Sequence, residues 1–257
     1  MAIRTTAIVN LKGGVAKTTT VINMAAILAK EHGSRVLVID ADSQCNTTEF
    51  FDGNPDHGDL GWILRGAEYY QEPGQVSVNI IQHTDLVNID LLPGSETLMD
   101  LDLSKVEQGI VNSNALRYLV EEVADKYDHI LIDCPPAFNA ASAAALVAAD
   151  DVVIPIKLDA FSLRGMANLM RQIRNMRRIN PRLRVAGVLP TMWYRDELIQ
   201  DAEEQLRSAG LHIFHHIRRS DKVDYMTFYR TPLQVCSPNS GAGVDYRKFV
   251  AEYMGGE

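Results

Sequence analysis

Ile3-Arg4-Thr5-Thr6-Ala7-Ile8-Val9-Asn10-Leu11-Lys12-Gly13-Gly14-Val15-Ala16-Lys17-Thr18-Thr19-Thr20 stands near the start of the chain, and its reading decides the fold. A β-rich apolar run enters a glycine turn, then Lys-Thr, then a helix-periodic apolar series through Val21, Ala25 and Leu28. That order is what a phosphate cradle requires. Backbone N–H groups of the turn and of the helix N-terminus point at the anion. Lys17 supplies a mobile cation for β- and γ-phosphates, and the Thr18 hydroxyl suits Mg²⁺. The strict G-x-x-x-x-G-K-[ST] pattern is missed, because Leu11 and Ala16 stand where its two glycines would be. A second lysine, Lys12, precedes Gly13-Gly14 instead. Ala16 is expected at negative φ, since a Cβ makes positive φ costly.

Outward from this stretch, short apolar runs alternate with helical periodicity. Ser34–Asp40, Leu86–Leu92, His129–Asp133, Val152–Ile156 and Arg184–Leu189 read as strands, with a short one at 211–214. Helices are expected over 95–104, 114–126, 140–149, 162–179, 196–209 and 242–254. Residues 52–86 read as a polar surface excursion with one short helix around Leu60–Leu64. The alternation implies an α/β fold: a doubly wound, mostly parallel sheet with helices on both faces, in one domain over 1–257. The chain is 46% hydrophobic and 23% charged, values of a globular protein with a core. No apolar run is long enough to span a bilayer. Met1-Ala2-Ile3-Arg4 reads as the start of a strand and not a leader, so a cytoplasmic location is expected. Cys45, Cys134 and Cys236 are far apart and odd in number, which indicates neither a disulfide framework nor a zinc site.

Two further positions belong with the turn. Asp133 ends an Ile-Leu-Ile strand, where a carboxylate beside a phosphate cradle supports Mg²⁺. Asp40 and Asp42 leave the preceding strand as Asp-x-Asp, so one can orient metal-bound water and the other the attacking water. Charge is uneven. Residues 1–160 carry 10 Lys and Arg against 23 Asp and Glu, and residues 161–257 carry 15 against 10. A basic final third on a protein of net charge −8 suggests a polyanion-binding face or a solvated helix surface.

Lys12-Gly13-Gly14-Val15-Ala16-Lys17-Thr18 resembles the deviant Walker A motif, KGGxxK[ST], of the ParA/MinD ATPases. Asp40-Ala41-Asp42-Ser43-Gln44-Cys45-Asn46 resembles the family's D-x-D-P-Q-G-N switch, with Ser43 for Pro and Cys45 for Gly. Tyr127 to Pro136, Leu92-Pro93-Gly94-Ser95, Asn180-Pro181, Gly187-Val188-Leu189 and Ser237 to Ala242 also match, so the resemblance to a ParA/Soj-type partition ATPase spans essentially the whole chain.

The resemblance implies ATP and Mg²⁺ as cofactors and slow, partner-stimulated hydrolysis. It places nucleotide on Lys12, Gly13, Gly14, Val15, Ala16, Lys17, Thr18 and Thr19, and metal at Thr18, Asp42 and Asp133. Lys12, Lys17 and Asp42 take catalytic roles, Lys12 by reaching the partner's nucleotide across an ATP-dependent homodimer. Adenine is expected against Pro190-Thr191-Met192, with Pro190 as the contact. A ParB-like centromere-binding partner, non-specific DNA and nucleoid association in the ATP state follow, with no membrane. Arg171, Arg178, Arg218, Arg219 and Arg230 are the implied DNA contacts, needing only phosphates. The departures at Ser43 and Cys45 bear on hydrolysis rate. Two other readings are a MinD-like membrane-surface ATPase, which needs a basic amphipathic C-terminal helix, and a metal-cluster carrier, which needs two suitably placed cysteines per subunit.

Overall fold

The computed structural model describes residues 3–66 and 78–255. Residues 67–77 of the expected polar excursion, and the two residues at each terminus, lie outside the described part. Seven strands form one sheet: β1 (Arg4–Ile8), β2 (Val36–Asp40), β3 (Gln82–His83), β4 (Ile89–Leu92), β5 (His129–Asp133), β6 (Asp151–Lys157) and β7 (Arg184–Thr191). Their order is β3-β4-β2-β5-β1-β6-β7, and only β3 runs antiparallel to its neighbour. Eleven α-helices are described: α1 (Lys17–His32), α2 (Asn46–Phe50), α3 (Leu60–Arg65), α4 (Leu103–Glu107), α5 (Ala115–Glu122), α6 (Ala140–Ala148), α7 (Ala160–Met176), α8 (Glu197–Ser208), α9 (Lys222–Phe228), α10 (Leu233–Cys236) and α11 (Gly241–Gly255).

The strands are apolar on both faces because both are covered. Ala7, Leu37, Ile39, Ile130, Ile132, Val152 and Ile154 turn to a core shared with α3, α5, α6, α7 and α8. Their sequence neighbours Ile8, Val36, Val38, Leu131 and Val153 turn the other way, onto α1, α9, α10 and α11. Helix α11 buries Ala242, Tyr246, Phe249, Val250 and Tyr253 there, so its apolar side is spent on the core. Among the described residues no helix is long and apolar enough to cross a membrane.

Register positions the site. Ile8 and Asp40 both pair with Asp133, and Ile39 pairs with Leu92. Four parallel strands thus end side by side, and the loops after β1, β2, β4 and β5, with the motifs they carry, leave the same edge. The chain departs β1 toward β2 on one side and passes from β5 to β6 on the other, so the crevice opens above β1.

Three expectations are corrected. The strand at 211–214 reduces to one bridge, Val188 to Ile213; it lies at the sheet margin with no further strand to pair with. The helix over 95–104 is a 3-10 turn at Glu96–Asp100 followed by α4, with Leu101 outside both and Asp102 extended as the N-cap of α4. The helix over 162–179 starts earlier, at Ala160, because the Asp159 carboxylate accepts the Ser162 N–H and caps it.

Candidate nucleotide site

The loop after β1 is anchored first. Asn10 Nδ2 donates to the Pro155 carbonyl at 2.7 Å, and its Oδ1 accepts the Lys12 N–H at 3.0 Å. Gly14 then takes φ +68°, and Ala16 takes φ +65° as the N-cap of α1. Positive φ at Ala16 corrects the expectation of negative φ. In that conformation the Ala16 carbonyl accepts both Thr20 N–H (3.0 Å) and Thr20 Oγ1–H (2.7 Å). A non-glycine residue in that region costs about 1–2 kcal/mol. A Cβ added at Gly13 or Gly14 would meet nothing within 4 Å, so the cradle is open above the loop.

Lys17 is buried at the cradle floor, its Nζ 3.3 Å from the Lys12 carbonyl. Burial lowers its pKa, and the nearby Asp133 and Asp42 carboxylates oppose that. Asp133 is fully buried. One of its oxygens accepts Thr18 Oγ1–H at 2.6 Å and Thr47 Oγ1–H at 2.7 Å, and the other has no hydrogen-bond partner. Burial raises its pKa, against the pull of both hydroxyls and Lys17. Among the described residues no group of three or more His, Cys, Asp or Glu could hold a metal alone. Mg²⁺ fits nonetheless: it takes one or two protein ligands, with phosphates and water completing the octahedron, and an unpartnered carboxylate oxygen beside Thr18 is that kind of site.

Asp42 is buried, lines the cavity, and accepts the Gln44 N–H at 3.0 Å. Asp40 does not share its work, which corrects the division of labour expected from Asp-x-Asp. Asp40 has no exposure, and it is spent on Asp42 N–H, Thr48 N–H and Thr48 Oγ1–H. The Thr48 hydroxyl in turn accepts Gly94 N–H, so Asp40 ties the switch to the end of β4. Burial and the Asp133 charge raise its pKa.

These groups open onto a cavity of about 1050 Å³. Gly13 to Thr19 (without Val15), Asp42, Gln44 and Asn46 line one part. Pro136, Lys157, Thr191, Met192, Tyr194, Ile217 to Asp221, Val223, Asp224 and Tyr246 line the rest. Three expected nucleotide contacts, Lys12, Val15 and Pro190, are absent from the lining, as is the buried Asp133. Val15 is buried and offers only its carbonyl, to Thr191 Oγ1. Pro190 is corrected outright: it is buried within β7, paired with Ile156, and its successors Thr191 and Met192 face the cavity. Lys12 points away, with Nζ 2.7 Å from Asp159 Oδ2 and 3.1 Å from Ser162 Oγ. Burial alone would raise the Asp159 carboxyl; hydrogen bonds from Lys12 and Ser162 outweigh it and hold it at about 2. The wall from 217 to 224 was invisible in the sequence, where it carries no spacing of its own.

The five arginines grouped as one basic face are corrected to three separate places. Arg171 and Arg178 are exposed on and just after α7, which starts at the cradle and descends about 25 Å to the opposite sheet edge. Arg218 and Arg219 line the cavity. Arg230 ion-pairs with Glu49 and Asp52 beside α2. Cys134 is buried in the core, so no cysteine pair is displayed for a cluster.

A sequence model for a family described as an AAA domain matches residues 3–185. The chromosome-partitioning ATPase Soj of Thermus thermophilus is 33% identical over 257 residues, 98% of this chain and 96% of that one. The chromosome partitioning protein ParA of Caulobacter vibrioides is 37% identical over 216 residues, covering 80% and 76%. The chain belongs to the ParA/Soj-like partition ATPases. Among solved structures of related fold, apo McdA of Cyanothece superposes with a TM-score of 0.83 at 22% identity, covering 98% of this chain and all of that one. Cobyrinic acid a,c-diamide synthase of Mycobacterium smegmatis, 27% identical with a TM-score of 0.78 over 99% and 97% of the chains, was solved with an ATP analogue and magnesium. As a member of the ParA family, this chain is a P-loop ATPase.

Proposed function

We propose that the chain acts as an ATP-dependent homodimer that partitions DNA, binding it without sequence preference and hydrolysing ATP under the control of a ParB-like centromere-binding protein. The observation that carries this is Lys12. A second lysine in a phosphate loop that turns away from its own cavity, onto Asp159, is available to another molecule's phosphates once that ion pair opens. A cross-dimer reach would make assembly depend on ATP.

Within each subunit, N–H groups of Gly13 to Thr19 and the Lys17 ammonium would bind the β- and γ-phosphates. Thr18 and Asp133 would hold Mg²⁺, which when bound withdraws charge from the phosphate oxygens. Asp42 would orient the attacking water. Arg171, Arg178 and Arg219 are the supported DNA contacts among the five. Residues 160–195 contain no Asp or Glu, so α7 presents its arginines with no acidic residue on the same helix. Arg218 and Arg230 are already paired with carboxylates. The ATP-bound dimer would then sit on the nucleoid, and the nucleotide-free chain in the cytoplasm.

The test is fluorescence anisotropy with a duplex of arbitrary sequence. Binding should require Mg-ATP and should fall with salt at a log–log slope of about −0.9 per phosphate neutralised. Binding that is salt-insensitive, or equal without nucleotide, would contradict the proposal.

A further inference from the structure

The far wall of the cavity is built from two loops. Ile217 N–H donates to the Pro190 carbonyl (2.7 Å), Trp193 N–H to the Ile217 carbonyl (2.9 Å) and Arg219 N–H to the Trp193 carbonyl (3.0 Å). Trp193 stacks on His216 at 3.7 Å between ring centroids. This patch of backbone pairing lies outside the main sheet. Behind it, Ile217 packs into the core beside α11, Glu252 Oε2 of α11 accepts His215 N–H at 2.8 Å, and the densest polar link is one carboxylate.

Asp245 lies on α11 with no exposure and does not line the cavity. Its Oδ2 accepts Arg218 N–H at 3.1 Å and Arg218 Nε–H at 2.7 Å. Its Oδ1 accepts Arg218 Nη2–H at 2.8 Å and lies 3.2 Å from His215 Nε2. Three donors of one residue, backbone included, are thus fixed by a single buried carboxylate. Such a two-pronged contact sets the orientation of the guanidinium and the path of the backbone together. Gly241 makes room for it: a Cβ there would sit 2.6 Å from Arg218 Cδ.

We propose that Asp245 is a positioning residue of the nucleotide site, which through Arg218 holds the Ile217–Ser220 wall in place to receive the nucleoside end of the ligand. This rests on the nucleotide reading of the cavity and deepens it. It also reassigns Arg218: its guanidinium is the clamp of the wall, and DNA phosphates do not compete for it. The phosphate end, held by the loop of Gly13 to Thr19, does not depend on the clamp. The wall and the cradle therefore fail separately.

The experiment compares the full chain with Asp245→Asn, Arg218→Ala and Arg218→Lys by displacement of a fluorescent ATP analogue, using Mg-ATP, Mg-ADP and Mg-tripolyphosphate as competitors. Asp245→Asn and Arg218→Ala should each weaken ATP and ADP by about tenfold, the scale of one lost charge-assisted contact. Arg218→Lys should be intermediate. The double variant should be no weaker than the worse single one, because the pair acts as a unit. Tripolyphosphate should compete within about twofold of its wild-type strength in every variant. If ATP and ADP affinity were unchanged in folded variants, or tripolyphosphate weakened in step with ATP, the proposal would be wrong. Should Asp245→Asn fail to fold, the two Arg218 variants decide it. A wild-type chain that bound no nucleotide at all would instead defeat the underlying reading of the cavity.

Discussion

Ala16, in the cavity lining, and Cys45, between the lining residues Gln44 and Asn46, both hold left-handed backbone, at φ +65° and φ +54°. Cys45 caps α2 in the conformation that the family's glycine would adopt without strain. Replacing either by Gly removes about 1–2 kcal/mol of steric cost and adds back up to about 1 kcal/mol of unfolded-chain entropy. Ala16→Gly and Cys45→Gly should each be neutral to stabilising by as much as about 1 kcal/mol in urea unfolding. Loss of stability in either would show that the loop is not left-handed at that position in solution. Asp40 and Asp133 give a second residue-scale expectation. Burial raises both carboxyls, so the folded chain keeps protons that the unfolded chain has released. Above the ordinary aspartate value, about 3.9, the nucleotide-free protein therefore loses stability as pH rises, until both raised groups have ionised. Asp128, Asp159 and Asp245 are shifted down, and their contribution disappears only as pH falls below that ordinary range. Thermal melts from about pH 5 to pH 8 should show a falling Tm, with a shallower slope in Asp133→Asn.

At the scale of elements, Asn180 shows how a quoted motif becomes a structural joint. Buried after α7, its Nδ2 donates to the Leu146 carbonyl (3.0 Å) and the Ala149 carbonyl (2.6 Å) at the end of α6. Asn180→Ala leaves two buried carbonyls without a donor and should cost about 2–3 kcal/mol in urea unfolding, with nucleotide affinity unaffected. A cost under about 0.5 kcal/mol would mean that water replaces the amide. The sequence read well where one element dictates its own conformation. The β1 run, the helix of Val21, Ala25 and Leu28, and the Ile-Leu-Ile before Asp133 each bury a continuous apolar surface, and periodicity reports burial. It read poorly where conformation is imposed from outside. Ala16 is left-handed in the turn that joins Gly13-Gly14 to α1, and Asp40 is withdrawn from the cavity, where Thr48 and Asp42 N–H hold it. Helices α9 and α10 and the two-residue β3 are too short to show a period, and the wall that the start of α9 helps frame escaped notice with them.

Across the whole molecule, charge that looked like one basic third divides by function. Arg184 with Arg4 brackets the buried Asp151 at the start of β6, Arg218 clamps the cavity wall, and α7 and Arg219 are among the elements that offer cations outward. Arg171→Ala with Arg178→Ala should weaken DNA binding and reduce the salt slope by about 2, one per phosphate contact, while leaving nucleotide affinity intact. An unchanged slope would move the interface elsewhere. The largest rearrangement required of the molecule is small in extent: Lys12 must leave Asp159 and Ser162 and reach beyond its own subunit. The pair is partly exposed, with side chains 37% and 31% accessible, so its net strength is about 1 kcal/mol or less, and a γ-phosphate can outbid it. Sedimentation velocity with and without Mg-ATP therefore tests the central claim most directly. The wild-type chain should be a monomer alone and a dimer with Mg-ATP, and Lys12→Ala should bind ATP and stay a monomer. A Lys12→Ala chain that still dimerised with ATP, or a wild type that never did, would contradict the account.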